Sequence, residues 1–204
     1  MPLCKEITSD SFTIAIWEIT EPESFFKAHY PTPDYTLEAR RLQSYATRHL
    51  CCSMFGNSVE ILKTESGKPH LHPPLGNISI THTAHYAAIM YSKKMEVGVD
   101  LETINDKVLR IASKFMEDAE IEAIPDAEKV RKLILYWSAK EALYKLHAKG
   151  GLEFRTQLMI QPFCLQNKGM LVAEVNADVQ WKNLEVHYEF FDNQVLTYVA
   201  KPSE

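Results

Sequence analysis

The sequence predicts an α+β fold made of two similar halves, residues 1–95 and 96–204. Two observations support this prediction. Each half contains one long segment in which apolar residues recur at helical spacing, at 35–55 and at 126–148. Short segments rich in β-branched and aromatic residues, which are typical of strands, flank each of these helices. The two halves show no visible similarity in sequence, so the prediction of a duplication concerns their architecture alone.

The N-terminal half begins with strand-like alternation, in which Phe12, Ile14 and Ile16 share one face. The long helix is preceded by Pro31 and Pro33, and Gly56 provides its stop signal. Residues 64–69 have the composition of a turn. The predicted elements of this half are a strand at 11–19, helices at 21–28 and 35–55, and strands at 58–63 and 85–92.

The C-terminal half opens with a strand at 97–102, and its long helix ends at Gly150-Gly151. The acids at 118–120 suit the start of a shorter helix. Beyond the long helix the pattern is that of a meander with turns at 167–169 and 192–194. The remaining predicted elements are helices at 107–115 and 118–124, and strands at 158–164, 170–175, 184–191 and 195–200.

Composition limits the function classes. The formal net charge is −5, from 22 basic and 27 acidic residues, which disfavours a polyanion such as nucleic acid as partner. The neighbours Cys51 and Cys52 lie in a predicted helix and cannot readily bridge each other, so no disulfide framework is expected. The N-terminal residues lack the layout of a secretory signal, and no apolar run could cross a bilayer. We therefore expect a cytoplasmic protein that uses neither membrane nor nucleic acid.

Three acids form the candidate site. In the strand at 97–102, the period of two places Asp100 and Glu102 on one face. Glu141 falls inside the apolar stripe of the long helix, where an unpaired carboxylate would be costly; the stripe consists of Val130, Leu133, Ile134, Trp137 and Tyr144. Spacing alone leaves two alternatives open: a salt bridge between Glu141 and Lys145 beside two solvated strand acids, or a divalent cation shared by all three acids. A set made only of carboxylate oxygens suits Mg²⁺.

These segments resemble a known family. Residues 98–102 (GVDLE) and 137–145 (WSAKEALYK) are similar to the two signature motifs of the 4′-phosphopantetheinyl transferases, G-[VI]-D-[IL]-E and [FW]-[ST]-x-K-E-[SA]-x-x-K, in the same order. Over 35–155 the likeness is to the longer, single-chain type that activates surfactin synthetase. The resemblance implies two α/β subdomains in pseudo-twofold arrangement, with the active site in the cleft between them, and a monomer.

The resemblance also implies a reaction. The family moves the phosphopantetheine arm of coenzyme A onto a serine of an acyl or peptidyl carrier protein, as holo-[acyl-carrier-protein] synthases do, and releases adenosine 3′,5′-bisphosphate. It implies that Asp100, Glu102 and Glu141 hold Mg²⁺, and that Asp100, Glu141 and Lys145 are catalytic. Glu141, directly or through a water that it orients, would accept the serine proton. Lys140 points about 100° away from Glu141 around the helix, so it either contacts substrate or holds the helix in position.

The resemblance places coenzyme A on the N-terminal half as well. Its 3′-phosphate would meet either Arg40 or Arg41, although both could equally belong to a solvated helix face. Residues 81–83, Thr-His-Thr, stand where Ser-His-Ser is more usual, and threonine keeps the hydroxyl. The residues implied to bind coenzyme A are Arg40, Arg41, Gly67, Lys68, Pro69, Thr81, His82, Thr83 and Lys145.

Two other function classes remain open. A non-catalytic module that binds coenzyme A or a carrier protein would be indicated by loss of a metal acid, and all three acids are present. A Mg²⁺-dependent phosphohydrolase would share the acids but would not need residues 67–69 or 81–83. The carrier could serve fatty-acid, polyketide or non-ribosomal peptide biosynthesis, and the sequence does not distinguish these pathways.

Overall fold

A computed structural model describes residues 3–203, with the backbone alone for Leu3. The chain forms two compact units. The first runs to Val97 and also includes Pro202 and Ser203, and the second is Gly98–Lys201. Each unit combines antiparallel strands with one long helix, so the predicted α+β class is confirmed. Within the described residues, no helix is both long enough and apolar enough to span a membrane.

The N-terminal unit contains a four-stranded antiparallel sheet in the order β1-β2-β6-β5, and a separate hairpin of β3 and β4. Its elements are β1 (Leu3–Thr8), β2 (Thr13–Glu18), α1 (Glu23–Lys27), α2 (Glu38–Phe55), β3 (Glu60–Lys63), β4 (Pro69–His72), β5 (Asn77–His82) and β6 (Tyr86–Ser92). Helix α2 packs its apolar face on the sheet through Tyr45, Ala46 and Leu50, all of them fully buried.

Helix α2 begins at Glu38, three residues later than predicted. Leu37 is extended, with φ −80° and ψ 128°. The Arg41 guanidinium donates hydrogen bonds to the carbonyls of Tyr35 (3.0 Å) and Thr36 (2.6 Å). These bonds satisfy carbonyls that a longer helix would have used itself, so they hold the segment as a bend.

The C-terminal unit contains a five-stranded sheet in the order β7-β11-β10-β9-β8. Its elements are β7 (Met95–Thr103), which starts in the first unit, α3 (Asp118–Glu122), α4 (Lys129–His147), β8 (Leu158–Ile160), β9 (Lys168–Asn176), β10 (Gln180–Phe191) and β11 (Gln194–Pro202). The pairs β8–β9, β9–β10 and β10–β11 are antiparallel, as a meander requires.

Helix α4 is buried on more than the single stripe that the sequence predicted. Leu133, Ala139, Ala142 and Leu143 are fully buried in the core of this unit. Trp137, which was assigned to the stripe, is only partly buried. A helix enclosed on several sides shows little amphipathic periodicity, so its inward face could not be deduced from spacing.

Two predictions in this unit were wrong in detail. The helix predicted at 107–115 is instead a pair of 3₁₀ segments, Asp106–Arg110 and Ala112–Lys114. The side chain of Asn105 caps the first segment by accepting a hydrogen bond from the Lys107 amide (3.0 Å). Strand β8 ends at Ile160 rather than at 164, since Pro162 has no amide hydrogen to donate to a neighbouring strand.

An ion-pair cluster fastens the end of α4 to the turn between β9 and β10. Asp178 accepts hydrogen bonds from Lys149 Nζ and from the ring of the buried His147, each at 2.6 Å. The Lys149 bond and then the His147 bond lower the pKa of Asp178 to about 2. A carboxylate whose pKa is lower in the folded than in the unfolded protein stabilises the fold above its unfolded pKa.

We expect Asp178→Asn to lower the urea midpoint of unfolding at pH 7. The difference from the unmodified protein should shrink as the pH falls from about 4 to about 2, because both proteins are then neutral at this position. Urea unfolding at a series of pH values measures the difference. Asp106→Asn, at an exposed site, is the control for loss of one negative charge. A difference that did not change with pH would exclude this electrostatic explanation.

Candidate active site

Strand β7 and helix α4 carry the acids, and their backbones lie in direct contact at Gly98. A Cβ atom on Gly98 would lie 2.1 Å from the carbonyl oxygen of Ala142 and 3.0 Å from the amide nitrogen of Leu146. Only glycine fits such an approach of strand to helix. The two segments found in the sequence therefore meet in the structure, and the glycine permits it.

Asp100 is the most enclosed of the three acids, with 4% of the residue exposed. Its Oδ1 accepts a hydrogen bond from Lys145 Nζ at 2.8 Å, and its Oδ2 accepts one from Ser138 Oγ at 2.8 Å. Lys145 Nζ also donates to the carbonyl oxygen of Val99 at 3.0 Å. Both anchoring side chains come from α4, one helical turn before and one after Glu141.

The structure contradicts the salt bridge between Glu141 and Lys145 that the sequence left open as one alternative. Lys145 forms its ion pair with Asp100, at 2.8 Å, and not with Glu141. The strand acids are also not solvated, since Asp100 is buried and Glu102 is half-buried. The reason is the close approach at Gly98, which brings the C-terminal part of α4 against the strand.

Glu102 lies two residues beyond Asp100 and accepts a hydrogen bond from Trp137 Nε1 at 2.8 Å. Burial, followed by the nearby charge of Asp100, raises the pKa of Glu102 to about 7, although the Trp137 bond opposes the shift. The indole thus orients this carboxylate without neutralising it. Trp137 has a polar function that its place in an apolar stripe did not indicate.

Glu141 lies on α4, half-buried. Burial, followed by the negative charge of Asp100, raises the pKa of Glu141 to about 7, while Lys145 acts in the opposite direction. Asp100 therefore influences both glutamates, and Glu141 in turn raises the pKa of Glu102. The three acids lie near enough to repel one another, with Lys145 as their nearest opposing charge.

The structure does not arrange these carboxylates as a ready ligand set. Among residues 3–203, no group of three or more His, Cys, Asp and Glu side chains is placed so that it could hold a metal ion. Asp100 is instead bound by Lys145 and Ser138, and Glu102 by Trp137. The donor chemistry nevertheless fits a hard cation, because the acids supply only oxygen and repel one another. The magnesium assignment stays a prediction.

Lys140 is buried and faces away from the acids. Its Nζ donates hydrogen bonds to the backbone carbonyls of Phe115 (2.5 Å) and Phe154 (2.7 Å). Burial lowers the pKa of Lys140 to about 8. Of the two roles left open by the sequence, the contacts favour the structural one: this ammonium joins the segment before α3 to the loop after α4.

Replacing Lys140 with Met should lower the free energy of unfolding by about 2 kcal/mol, since the buried carbonyl of Phe115 and the partly buried carbonyl of Phe154 lose their donor. Methionine keeps the length and apolar stem of the side chain, which limits the change in packing. Urea unfolding measures the effect, and Lys114→Met, at an exposed position, is the matched control. Unchanged unfolding together with a large rise in the KM of a substrate would show that Lys140 contacts substrate instead.

The two candidate arginines of α2 differ in their environment. Arg41 Nε lies 2.5 Å from Oε1 of Glu23, and the same guanidinium holds the carbonyls of Tyr35 and Thr36. Arg40 is exposed, and its side chain makes no hydrogen bond or ion pair within residues 3–203. Arg41 is therefore committed to the fold of the N-terminal unit, while Arg40 has a free guanidinium.

The segment at 67–69 forms the end of the β3–β4 hairpin. Gly67 has a φ of +85°, which closes the turn, and its amide donates to the Thr64 carbonyl at 2.9 Å. Lys68 Nζ lies 2.8 Å from Glu96 Oε2, and about a third of each side chain is exposed. Pro69 is the first residue of β4. The lysine is thus paired, yet accessible.

The three residues at 81–83 differ in accessibility. Thr81 is buried within β5, while His82, the last residue of β5, is exposed. Thr83 is buried, and its hydroxyl accepts hydrogen bonds from the amides of His85 (3.3 Å) and Tyr86 (3.2 Å). Thr83 therefore shapes the β5–β6 turn, which leaves His82 as the accessible side chain of the three.

Sequence reasoning missed the groups that orient the acids. Trp137 and Ser138 are part of the second motif, but their bonds to Glu102 and Asp100 could not be derived from spacing. Thr197 on β11 lies outside both motifs, and its hydroxyl contacts Ser138. A serine inside the mostly apolar long helix was the available signal for the bond to Asp100; Thr197 gave no signal.

Comparison with known proteins agrees with the motifs. Residues 96–199, about half of the chain, match the model of the family described as the 4′-phosphopantetheinyl transferase superfamily. A protein of Synechocystis sp. assigned as a 4′-phosphopantetheinyl transferase is 32% identical over 94 residues. This similarity covers 41% of the present chain and 37% of the relative, so it spans well under half of either protein.

Proposed function

Because the chain belongs to the 4′-phosphopantetheinyl transferase superfamily, we propose that it transfers the phosphopantetheine arm of coenzyme A to a serine of an acyl or peptidyl carrier protein. The observation that carries this proposal is the contact between β7 and α4, where Lys145 and Ser138 bind Asp100 while Glu102 and Glu141 lie close by. We further propose that the chain is of the longer, monomeric type.

We propose that Asp100, Glu102 and Glu141 hold Mg²⁺. Burial, followed by the charge of Asp100, raises the pKa values of both glutamates, and a bound cation would offset both effects; three carboxylates offer only hard oxygen donors. When bound, the ion would neutralise charge that develops on the pyrophosphate. The arrangement of Trp137 against Glu102 and of Ser138 against Asp100 fixes two of the three carboxylates in advance.

Side chains of the protein would carry out the proton transfer and stabilise the leaving group. The serine hydroxyl oxygen forms a bond to the phosphorus that bears the pantetheine arm, and the bond from that phosphorus to the bridging oxygen breaks. Glu141 accepts the proton of the hydroxyl, directly or through a water that it orients. Lys145 contributes positive charge toward the leaving adenosine 3′,5′-bisphosphate. The reaction needs no other group to balance its atoms.

The N-terminal candidates for coenzyme A divide into accessible and structural residues. Arg40, Lys68 and His82 are accessible in their own unit and could reach phosphate or ribose oxygens. The side chains of Arg41 and Thr83 are already engaged within that unit. We therefore propose Arg40 for the 3′-phosphate and Lys68 with His82 for the remaining anionic groups; Gly67, Pro69 and Thr81 would act through the backbone they shape.

Arg40→Ala should raise the KM for coenzyme A by about tenfold, equivalent to one lost charge-assisted contact, without changing the urea midpoint. Arg41→Ala should instead lower the urea midpoint, because Glu23 and two carbonyls lose their donor, and it should leave the KM for coenzyme A unchanged. Dephospho-coenzyme A is the control substrate: with it, the Arg40→Ala variant should match the unmodified protein. If Arg41→Ala showed the phosphate-dependent loss instead, the two assignments would be exchanged.

Intact-mass analysis tests the proposed function directly. The protein is incubated with coenzyme A, Mg²⁺ and apo carrier proteins from fatty-acid, polyketide and non-ribosomal peptide synthesis, with EDTA as control. A mass gain of one phosphopantetheine that EDTA suppresses would support both the transferase and its metal. Cleavage of coenzyme A without transfer would identify a phosphohydrolase. Binding without cleavage would identify a non-catalytic module.

A further inference from the structure

We propose that Thr197 is a positioning residue for Asp100 and acts through Ser138, an inference that rests on the proposed function of Asp100. Thr197 lies on β11, the neighbour of β7 in the sheet. Both Thr197 and Ser138 are completely buried. The strand that carries Thr197 has no motif of its own, so the link depends entirely on three-dimensional contacts.

Counting hydroxyl protons fixes the direction of the chain. Ser138 Oγ donates its single proton to Asp100 Oδ2 at 2.8 Å. The contact of 2.9 Å between Ser138 Oγ and Thr197 Oγ1 must then take its proton from Thr197. Thr197 also has a single hydroxyl proton, so it shares that proton between Ser138 Oγ and the Ser138 carbonyl oxygen, each at 2.9 Å, in one three-centre hydrogen bond. Thr197 thus contacts both oxygens of Ser138, and donation runs from Thr197 to Ser138 to Asp100.

The series of hydrogen bonds from Thr197 through Ser138 holds one oxygen of the Asp100 carboxylate. Lys145 Nζ holds the other oxygen, Oδ1, at 2.8 Å. A serine hydroxyl otherwise rotates freely about its Cβ–Oγ bond. With Thr197 as donor, one lone pair of the Ser138 oxygen is occupied, and the hydroxyl hydrogen is directed toward Asp100. Loss of the Thr197 hydroxyl would loosen the orientation of Asp100 without removing any group from the reaction.

The test compares Thr197→Val, which removes the hydroxyl, with Thr197→Ser, which retains it. With Thr197→Val we expect the rate of carrier modification to fall about tenfold at low Mg²⁺ and the Mg²⁺ concentration for half-maximal rate to rise about as much, with the KM for carrier unchanged. For Thr197→Ser, the rate and the Mg²⁺ concentration for half-maximal rate should both stay within about twofold of those of the unmodified protein. A merely structural threonine would alter stability and leave the Mg²⁺ dependence as it is.

A second measurement does not depend on activity. Urea unfolding of Thr197→Val, Asp100→Ala, which removes the acceptor of Ser138, and the double variant forms a double-mutant cycle. We expect the fold-change in the unfolding constant of the double variant to differ from the product of the single changes by about fivefold or more. Independent effects would overturn the inference, as would a Thr197→Ser variant as impaired as Thr197→Val. Coupling in a protein without transferase activity would support the link and reject the proposed function.

Discussion

Asp100→Asn should reduce carrier modification by about a hundredfold or more, a loss of about 2.7 kcal/mol of transition-state stabilisation. Asparagine keeps the shape of the side chain and an oxygen that can accept from Ser138, but it removes the negative charge that faces Lys145. The fold should persist, since the volume of this buried site is unchanged. Asp100→Ala should also abolish turnover, with an added cost in stability because Lys145 and Ser138 lose their acceptor.

The measurement is the initial rate of phosphopantetheine transfer at saturating Mg²⁺, with urea unfolding to verify that the variant is folded. Asp106→Asn, a few residues further along the chain and exposed, removes the same charge and should keep its activity. Near-normal turnover by Asp100→Asn in the presence of Mg²⁺ would show that the metal assignment is wrong.

Gly98→Ala should destabilise the protein by about 3 kcal/mol or more, because the new methyl group would lie 2.1 Å from the Ala142 carbonyl oxygen. Neither partner is a flexible side chain, so relief requires β7 and α4 to move apart. That movement would separate Asp100 from Lys145 and Ser138 as well. We therefore expect loss of activity even at temperatures where the variant remains folded.

Gly169→Ala, on β9, is the matched control. Its methyl group would lie 2.9 Å from the hydroxyl and 3.0 Å from a ring carbon of the buried Tyr188, so one side chain would have to move, but neither backbone would. We expect a cost of about 1 to 2 kcal/mol for this change, smaller than at Gly98. Thermal and urea unfolding measure both effects. Equal destabilisation by the two substitutions would show that the close contact between strand and helix does not explain the effect of Gly98→Ala.

The sequence allowed the acids to be identified but not their pairing. Alternation in the strand and the position of Glu141 on the helix selected Asp100, Glu102 and Glu141, and the structure places these residues within electrostatic reach of one another. Helical spacing made Lys145 a partner for Glu141, yet the lysine binds Asp100. Spacing defines a face of an element, whereas pairing depends on the distance between elements, which Gly98 sets.

Two local features of the N-terminal unit were also beyond prediction. The chain just before α2 has a helical pattern, but the contacts of Arg41 with Tyr35 and Thr36 hold it as a bend. Likewise, Thr83 matched a ligand-binding motif, but its hydroxyl serves the β5–β6 turn. In both cases a polar side chain competes for backbone groups, and such competition is decided by contacts that a sequence pattern does not contain.

The contact of Gly98 with Ala142 also bears on the order of folding. It joins a strand and a helix that are separated along the chain by α3 and by three 3₁₀ segments, Asp106–Arg110, Ala112–Lys114 and Asp126–Glu128. Contacts between distant parts of a chain carry a loop-closure cost before they stabilise anything, so they form together with the tertiary structure. Neither β7 nor α4 can present the acidic cluster before the C-terminal unit has folded, and an early intermediate would carry the acids without a shared site.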